Sequence, residues 1–274
     1  MSDSENLDFY RSESIVDGFS AQAGWQDVGE ELILVSIASR VRNGTILDVG
    51  VGGGRTVPLM RLLSDAYTGV DYSPELVKAC QLRYPGVDIR EADARRLDGF
   101  ADETFDFVYF SFNGIDTLDR NGRRQFLDAV RRVLKPGGTL LFSTLNMHGR
   151  TYRETPLQLH RPGVPVDVSP SAAAHLLWRN VRDPFRVVRR YRNWRKSRQS
   201  VETYDTWGTE YLSMADFRLI NHFTTLLRLR EDLVQAEFDV VAIYGSDQTT
   251  GLPIDPGSSS TTDDSFYALA QKSE

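Results

Sequence analysis

The sequence predicts an α/β fold, a doubly wound, mostly parallel seven-stranded sheet with a helical insertion between strands five and six. Three observations predict it. Short apolar runs alternate with helical patterns through residues 27–148, an order that requires parallel strands joined by crossover helices. The first run ends in the cluster Gly50-Val51-Gly52-Gly53-Gly54 and opens directly into a helix. The rhythm stops near residue 148 and resumes near 231, so a long excursion must leave the sheet at one end.

Each element follows from local signals. Residues 27–42 have helical spacing, with Leu32, Val35 and Ile37 among polar neighbours. Thr45–Val49 reads as a buried strand, followed by the glycine turn and a helix through Leu63. Tyr67–Val70 is strand two. Ser73-Pro74-Glu75 is a helix start, with serine as cap, proline in the first turn and an acid at the positive end. That helix stops before Pro85. Val87–Arg90 and Phe105–Phe110 are strands three and four. Arg123–Leu134 is an amphipathic helix ended by Lys135-Pro136-Gly137-Gly138. Thr139–Thr144 is strand five. After the insertion come a helix (Arg230–Glu237), strand six (Asp239–Gly245), a polar loop expected to be mobile and exposed (246–264), and strand seven (Phe266–Ala270).

Composition narrows the function classes. A formal net charge of −6 argues against a general nucleic-acid coat. The stretch 176–200 is the exception, with nine Lys or Arg against one Asp. The N-terminus, MSDSENLDFY, lacks the basic start and apolar core of a secretory leader, and no apolar run reaches bilayer-spanning length. The lone Cys80 precludes an internal disulfide and reads as a small buried hydrophobe. Together these predict a cytoplasmic chain with no membrane partner.

The chemistry concentrates at Asp48-Val49-Gly50-Val51-Gly52-Gly53-Gly54-Arg55. A buried strand running into glycines lets the backbone approach a ligand at the strand's C-terminal end. Dinucleotide sites share that device, but their fingerprint needs a third small residue for close helix packing. Counting from Gly50, that position is Arg55.

The spacing Asp-x-Gly-x-Gly-x-Gly instead resembles the first motif of the class I S-adenosylmethionine (SAM) dependent methyltransferases. Gly69-Val70-Asp71-Tyr72-Ser73 resembles the next motif, its acid 21 residues after Gly50. Glu91-Ala92-Asp93-Ala94 is similar to the family's turn after strand three, and Leu134–Gly138 to its turn before strand five. The resemblance implies a Rossmann-like sheet with an antiparallel last strand, SAM as cofactor and S-adenosylhomocysteine (SAH) as product. It divides the chain into an N-terminal lid (1–26), a SAM-binding core (27–148 and 231–274) and a cap over the substrate (149–230). It implies that Asp48, Gly50, Gly52, Gly54, Arg55, Asp71, Tyr72, Asp93, Ala94 and Ser111 surround the cofactor. Asp71 would hold the ribose hydroxyls and Asp93 the adenine amino group. Asp48 would orient the glycine turn, and Arg55 would meet the SAM carboxylate.

For the acceptor, Tyr109-Phe110-Ser111-Phe112-Asn113-Gly114 lacks the paired prolines of amide and nucleobase N-methylating relatives. Asn113 is placed to orient an acceptor, and His148, after strand five, to take its proton. Either residue also reads as an ordinary loop position. Arg186, Arg189 and Arg190 on the cap, with His222 and Trp25, are candidate substrate contacts. Bidentate arginines suit a carboxylate- or phosphate-bearing molecule. The expected activity is O-methylation of a small anionic metabolite. N-methylation of an amine or amino sugar, or RNA methylation through the basic cap helix, are the alternatives. His148 and His222 with a carboxylate would also suit a divalent metal, although no closely spaced ligand pair supports one. A homodimer stays open.

Overall fold

The computed structural model describes residues 3–12, 15, 18, 28–156, 185–246 and 252–273. The sheet is assembled from β1 (Ile46–Val49), β2 (Tyr67–Asp71), β3 (Asp88–Glu91), β4 (Phe105–Phe110), β5 (Leu134–Leu145), β8 (Phe238–Gly245) and β9 (Ser265–Lys272). They stand in the order β3-β2-β1-β4-β5-β9-β8. β9 runs antiparallel to both its neighbours, and the other strands are parallel. The seven-stranded, Rossmann-like architecture read from the sequence is the one observed.

The order reverses between β1 and β4, the place where such sheets open a crevice at their C-terminal edge. β1 is buried at every position, as a strand covered on both faces must be. On one face lie α2 (Val28–Val41), α3 (Val57–Leu63) and α4 (Pro74–Arg83), packed on Ile46, Phe107 and Tyr109. On the other lie α5 (Arg120–Val133) and α7 (Leu226–Gln235), packed on Leu47, Val108, Phe142 and Phe266.

Local signals explain the element ends. Ser73 caps α4 by accepting from the Leu76 N–H at 3.4 Å, with Pro74 first in the helix. Asp119 caps α5 by accepting from the Gly122 N–H at 2.7 Å. Cys80 is fully buried on α4, and its thiol is pushed up to about 12 by burial, with Asp48 and Asp71 adding.

Several expectations need correction. In α2 the buried stripe is Ile33, Leu34, Ile37 and Val41, while Leu32 and Val35 face solvent, because the i, i+4, i+7 set faces the sheet. β5 starts at Leu134, so Lys135–Gly138 is not a separate turn. It bulges out between the pairs Phe105–Leu134 and Phe107–Thr139. The loop 246–264 is not uniformly exposed, since Ile254, Asp263 and Asp264 are buried.

The described part of the insertion is only partly helical. It holds α6 (Arg186–Ser197) and an antiparallel hairpin, β6 (Trp207–Tyr211) and β7 (Ile220–Thr224). The hairpin docks on the end of β5, where the Met147 N–H donates to the Thr224 carbonyl at 2.9 Å. Phe185, Val188 and Tyr191, whose spacing in the sequence would give this helix one apolar side, are exposed. The residues that α6 packs against the hairpin include Arg190 and Trp194.

Candidate functional site

The site forms where β1, β2 and β4 end. Gly50, Gly52 and Gly54 all have positive φ (67°, 54° and 89°), a region costly for other residues. Close packing adds to the requirement at two of them. A Cβ on Gly50 would lie 2.5 Å from the Phe110 ring, and one on Gly54 would lie 2.4 Å from the Tyr84 ring. The turn is therefore a bare backbone rim.

Asp71 ties β2 to that rim. Its Oδ2 accepts from the Gly52 N–H at 2.9 Å, and its Oδ1 accepts from the Ser73 N–H at 2.9 Å. Each oxygen keeps a lone pair that can accept a further hydroxyl. Burial lifts its carboxyl to about 6, against the pull of these backbone donors. Asp48 lies beneath the turn and is fully buried. Its Oδ2 accepts from the Thr56 hydroxyl and from the Tyr67 hydroxyl, the latter at 2.9 Å. Burial raises Asp48 to about 6 as well. These bonds tie the start of α3 and the Tyr67 hydroxyl to the strand end beneath the glycine turn.

Arg55 is committed to a partner that the sequence reading missed. Nη1 donates to Glu30 Oε2 at 2.9 Å, and Nη2 donates to Glu30 Oε1 at 3.3 Å and to Ser111 Oγ at 2.9 Å. Glu30 is 1% exposed and also accepts from the Phe112 N–H at 3.2 Å. A signal for it existed. Glu30 falls in register with Ile33, Leu34, Ile37 and Val41 on the buried stripe of α2, where an acid needs a partner.

Asp93 closes the third side at the end of β3. It accepts from the Arg95 N–H and from the Arg95 guanidinium, whose Nη2 lies 2.6 Å away. Those bonds hold its carboxyl below the usual carboxylate range against partial burial. Ala94 packs against the core below it. Asn113 follows β4 in a left-handed conformation (φ 56°), and its N–H donates to Ser143 Oγ at 2.7 Å. Its Oδ1 is buried with no hydrogen-bond partner among the described residues. An amide oxygen left this way awaits a donor.

The first helix, α1 (Asp3–Tyr10), lies across this cleft. Tyr10 meets Tyr72 edge-on with ring centroids 6.0 Å apart. Its hydroxyl is pushed well above its ordinary value, first by burial and then by the charge of Asp71. Asn6 Nδ2 donates to the Thr117 carbonyl at 3.1 Å and to the Ile220 carbonyl at 3.0 Å. α1 thus spans the second motif, the turn after β4 and the cap hairpin.

The remaining candidates scatter. His148 is exposed in the turn after β5, its N–H donating to Asn146 Oδ1 at 2.9 Å. Arg190 is buried under the hairpin, donating to the Ser213 carbonyl and to Asp216 Oδ1, each at 2.8 Å. Arg189 is exposed on α6. Arg186 begins α6, but its side chain, like Trp25 as a whole, falls outside the described residues. His222 is buried on β7 and lines a cavity with α5 and α7 that none of the glycine-motif residues touches. Among the described residues, no three His, Cys, Asp or Glu come together as metal ligands. No described helix is long and apolar enough to cross a membrane.

Comparison with known proteins agrees with this geometry. Residues 47–142 match the family model described as a methyltransferase domain. A probable S-adenosylmethionine-dependent methyltransferase from Mycolicibacterium smegmatis is 33% identical over 128 residues, 46% of this chain and 48% of that protein. Phthiotriol/phenolphthiotriol dimycocerosates methyltransferase 1 from Mycobacterium ulcerans is 39% identical over 98 residues, 35% of each chain. The alignments thus span about half or less of these curated relatives. The CcbJ methyltransferase from Streptomyces caelestis shares the fold at 15% identity, with a TM-score of 0.58 over 98% of this chain and 99% of that one.

Proposed function

We propose that this chain, whose residues 47–142 are a methyltransferase domain of the SAM-dependent class I family, transfers the SAM methyl group to an oxygen of a small anionic acceptor. The observation that carries the reading is the Gly52–Asp71 hydrogen bond, which joins the glycine rim and the ribose-type acid in one cleft.

The residues present fit the cofactor. Asp71 keeps lone pairs for two ribose hydroxyls, and the glycines offer a rim free of side chains. The Glu30 charge is matched by Arg55, but Asp48 and Asp71 add carboxylates around the turn, which favours a sulfonium over a pyrophosphate by simple charge. SAM supplies an activated methyl group, so the protein's task is alignment and exclusion of water. In this reading α1 acts as the lid, Tyr10 covering the Asp71 pocket. Asn113 Oδ1 accepts from the acceptor's hydroxyl and aims it, and that proton leaves to solvent water as the oxygen takes the methyl group. His148, exposed in the turn after β5, lies on the solvent side where it would receive such a proton through water.

An anionic acceptor rests on the arginines of the cap. Arg190 contributes by holding α6 on the hairpin, and Arg189 and Arg186 enter the reading by their sequence positions on the same basic helix. N-methylation of an amine would call for acids facing the acceptor instead. The reading is tested by incubating the chain with methyl-labelled SAM and panels of hydroxy acids, phenols and amines. Label in hydroxyl-bearing anions supports it, whereas label only in amines transfers the assignment to nitrogen.

A further inference from the structure

We propose that the cavity between α5 and α7 is a second binding site, for a small organic anion, separate from the adenosine cleft. The cavity has a volume of about 350 Å³, within the usual range of small-ligand pockets, roughly 300–1,000 Å³. Its lining is divided by chemistry. Leu127, Phe142 and Leu229 give it an apolar side, Arg120 and Arg124 bring guanidinium groups to the same space, and the acids there are Asp128 and Asp232, the latter ion-paired with Arg228.

The placement of those arginines breaks a local rule. α5 has no acid in its first turn and instead carries Arg120, Arg123 and Arg124 at its positive end. Cations there are disfavoured by the helix dipole. Arg123 is explained by its buried pair with Asp116. Arg120 and Arg124 lie one helical turn apart, so they present their charges along one face. Asp119 already caps that helix end by accepting from the Gly122 N–H, so a bound anion would be stabilised by the two guanidinium groups themselves.

A second observation points to a ligand independently. His222 is 2% exposed, lines the cavity, and its Nδ1 has no hydrogen-bond partner among the described residues. Burial, with Arg123, Arg120 and Arg228 nearby, depresses its protonation well below the ordinary value. The ring is therefore neutral, and an unpartnered ring nitrogen at this depth is costly unless something meets it. His222 stacks on Trp207 at 5.2 Å and 14°, and the Arg120 guanidinium lies 5.3 Å from the Trp207 ring centre. The stack holds both polar groups at the cavity wall. The ligand class follows: a carboxylate or phosphate head on Arg120, Arg124 and His222, with an apolar body against Leu127, Phe142 and Leu229.

The test is calorimetric titration of the full chain with phenyl phosphate and hexanoate, with inorganic phosphate as comparison, in the presence and absence of saturating SAH. The expected result is saturable one-site binding of an organic probe that persists with SAH bound and is tighter than that of inorganic phosphate. Arg124→Gln, at an exposed position, and Arg120→Gln should each weaken it about tenfold, the scale of one charge-assisted hydrogen bond. His222→Phe, which retains an aromatic ring against Trp207, should weaken it similarly. Absence of saturable binding by either organic probe, displacement by SAH, equal affinity for inorganic phosphate, or unchanged affinity in both arginine variants would each overturn the proposal. None of these outcomes bears on methyl transfer itself.

Discussion

The Gly52 N–H donates to Asp71 Oδ2 at 2.9 Å, joining the turn after β1 to the end of β2. Their Cα atoms are not register partners in the sheet, where Asp48 pairs with Gly69 and Val49 with Val70. The bond is thus an extension of the sheet into the ligand site, made by a side chain. It places a buried carboxylate within reach of whatever the glycine rim admits.

A pH dependence of binding follows from that burial. The Asp71 carboxyl sits at about 6, above its unfolded value of 3.8, so the folded chain binds this proton more tightly than the unfolded chain. The extra stability is fully present below the unfolded value and is lost as pH rises through about 6. Ligand binding has the opposite sign, because the ionised form is the better acceptor for two hydroxyls. SAH affinity should therefore rise by up to about tenfold per pH unit from 5 to 6 and level off near 7. Calorimetry across that range checks it, and a flat profile would remove Asp71 from the ribose contact.

Asn113 separates binding from turnover. Asn113→Gly keeps the left-handed turn that φ 56° requires but removes the unpartnered Oδ1. With an acceptor identified, the expected loss is about 10- to 100-fold in kcat, the scale of misorienting a reactant. SAH affinity should stay within about twofold of wild type, the factor by which loss of a group making no cofactor contact leaves binding energy nearly intact. A parallel loss of SAH affinity would place Asn113 on the cofactor instead.

Asp116 holds the site's framework. It accepts from Arg123 Nη1, from the Thr144 hydroxyl at 2.6 Å and from the Leu145 N–H at 2.7 Å, and it is fully buried. Asp116→Ala leaves Arg123 as an uncompensated buried charge and should cost about 3–5 kcal/mol. Urea unfolding measures this directly, and a cost below about 1 kcal/mol, the scale of an exposed pair, would mean the pair is solvated.

Much of this was legible in the sequence because the signals are local. β1 and β4 are largely apolar runs bounded by glycines and acids, and Ser73-Pro74 announces α4. The cleft acids Asp71 and Asp93 were found by their spacing from the glycines. What was not legible depends on long-range pairing. Arg55 meets Glu30, 25 positions earlier, and no local pattern relates them. Arg190 looked like a ligand contact because charge on a cap helix reads as solvent-facing, yet it is spent on Asp216. The hairpin from Trp207 to Thr224 was missed because its eight-residue connection at 212–219, with its own 3-10 turn at Ser213–Ala215, hides the strand alternation. The cavity at His222 needed three distant segments to meet.

The central claim, that the glycine rim and Asp71 cradle an adenosyl sulfonium, is tested most directly by calorimetry with SAH against NAD on wild type and Asp71→Asn. The account predicts one-site SAH binding, no comparable NAD binding, and SAH affinity about tenfold or more weaker in the variant, as expected for charge-assisted hydrogen bonds to a ligand. Preferential NAD binding, or SAH binding untouched by Asp71→Asn, would contradict it.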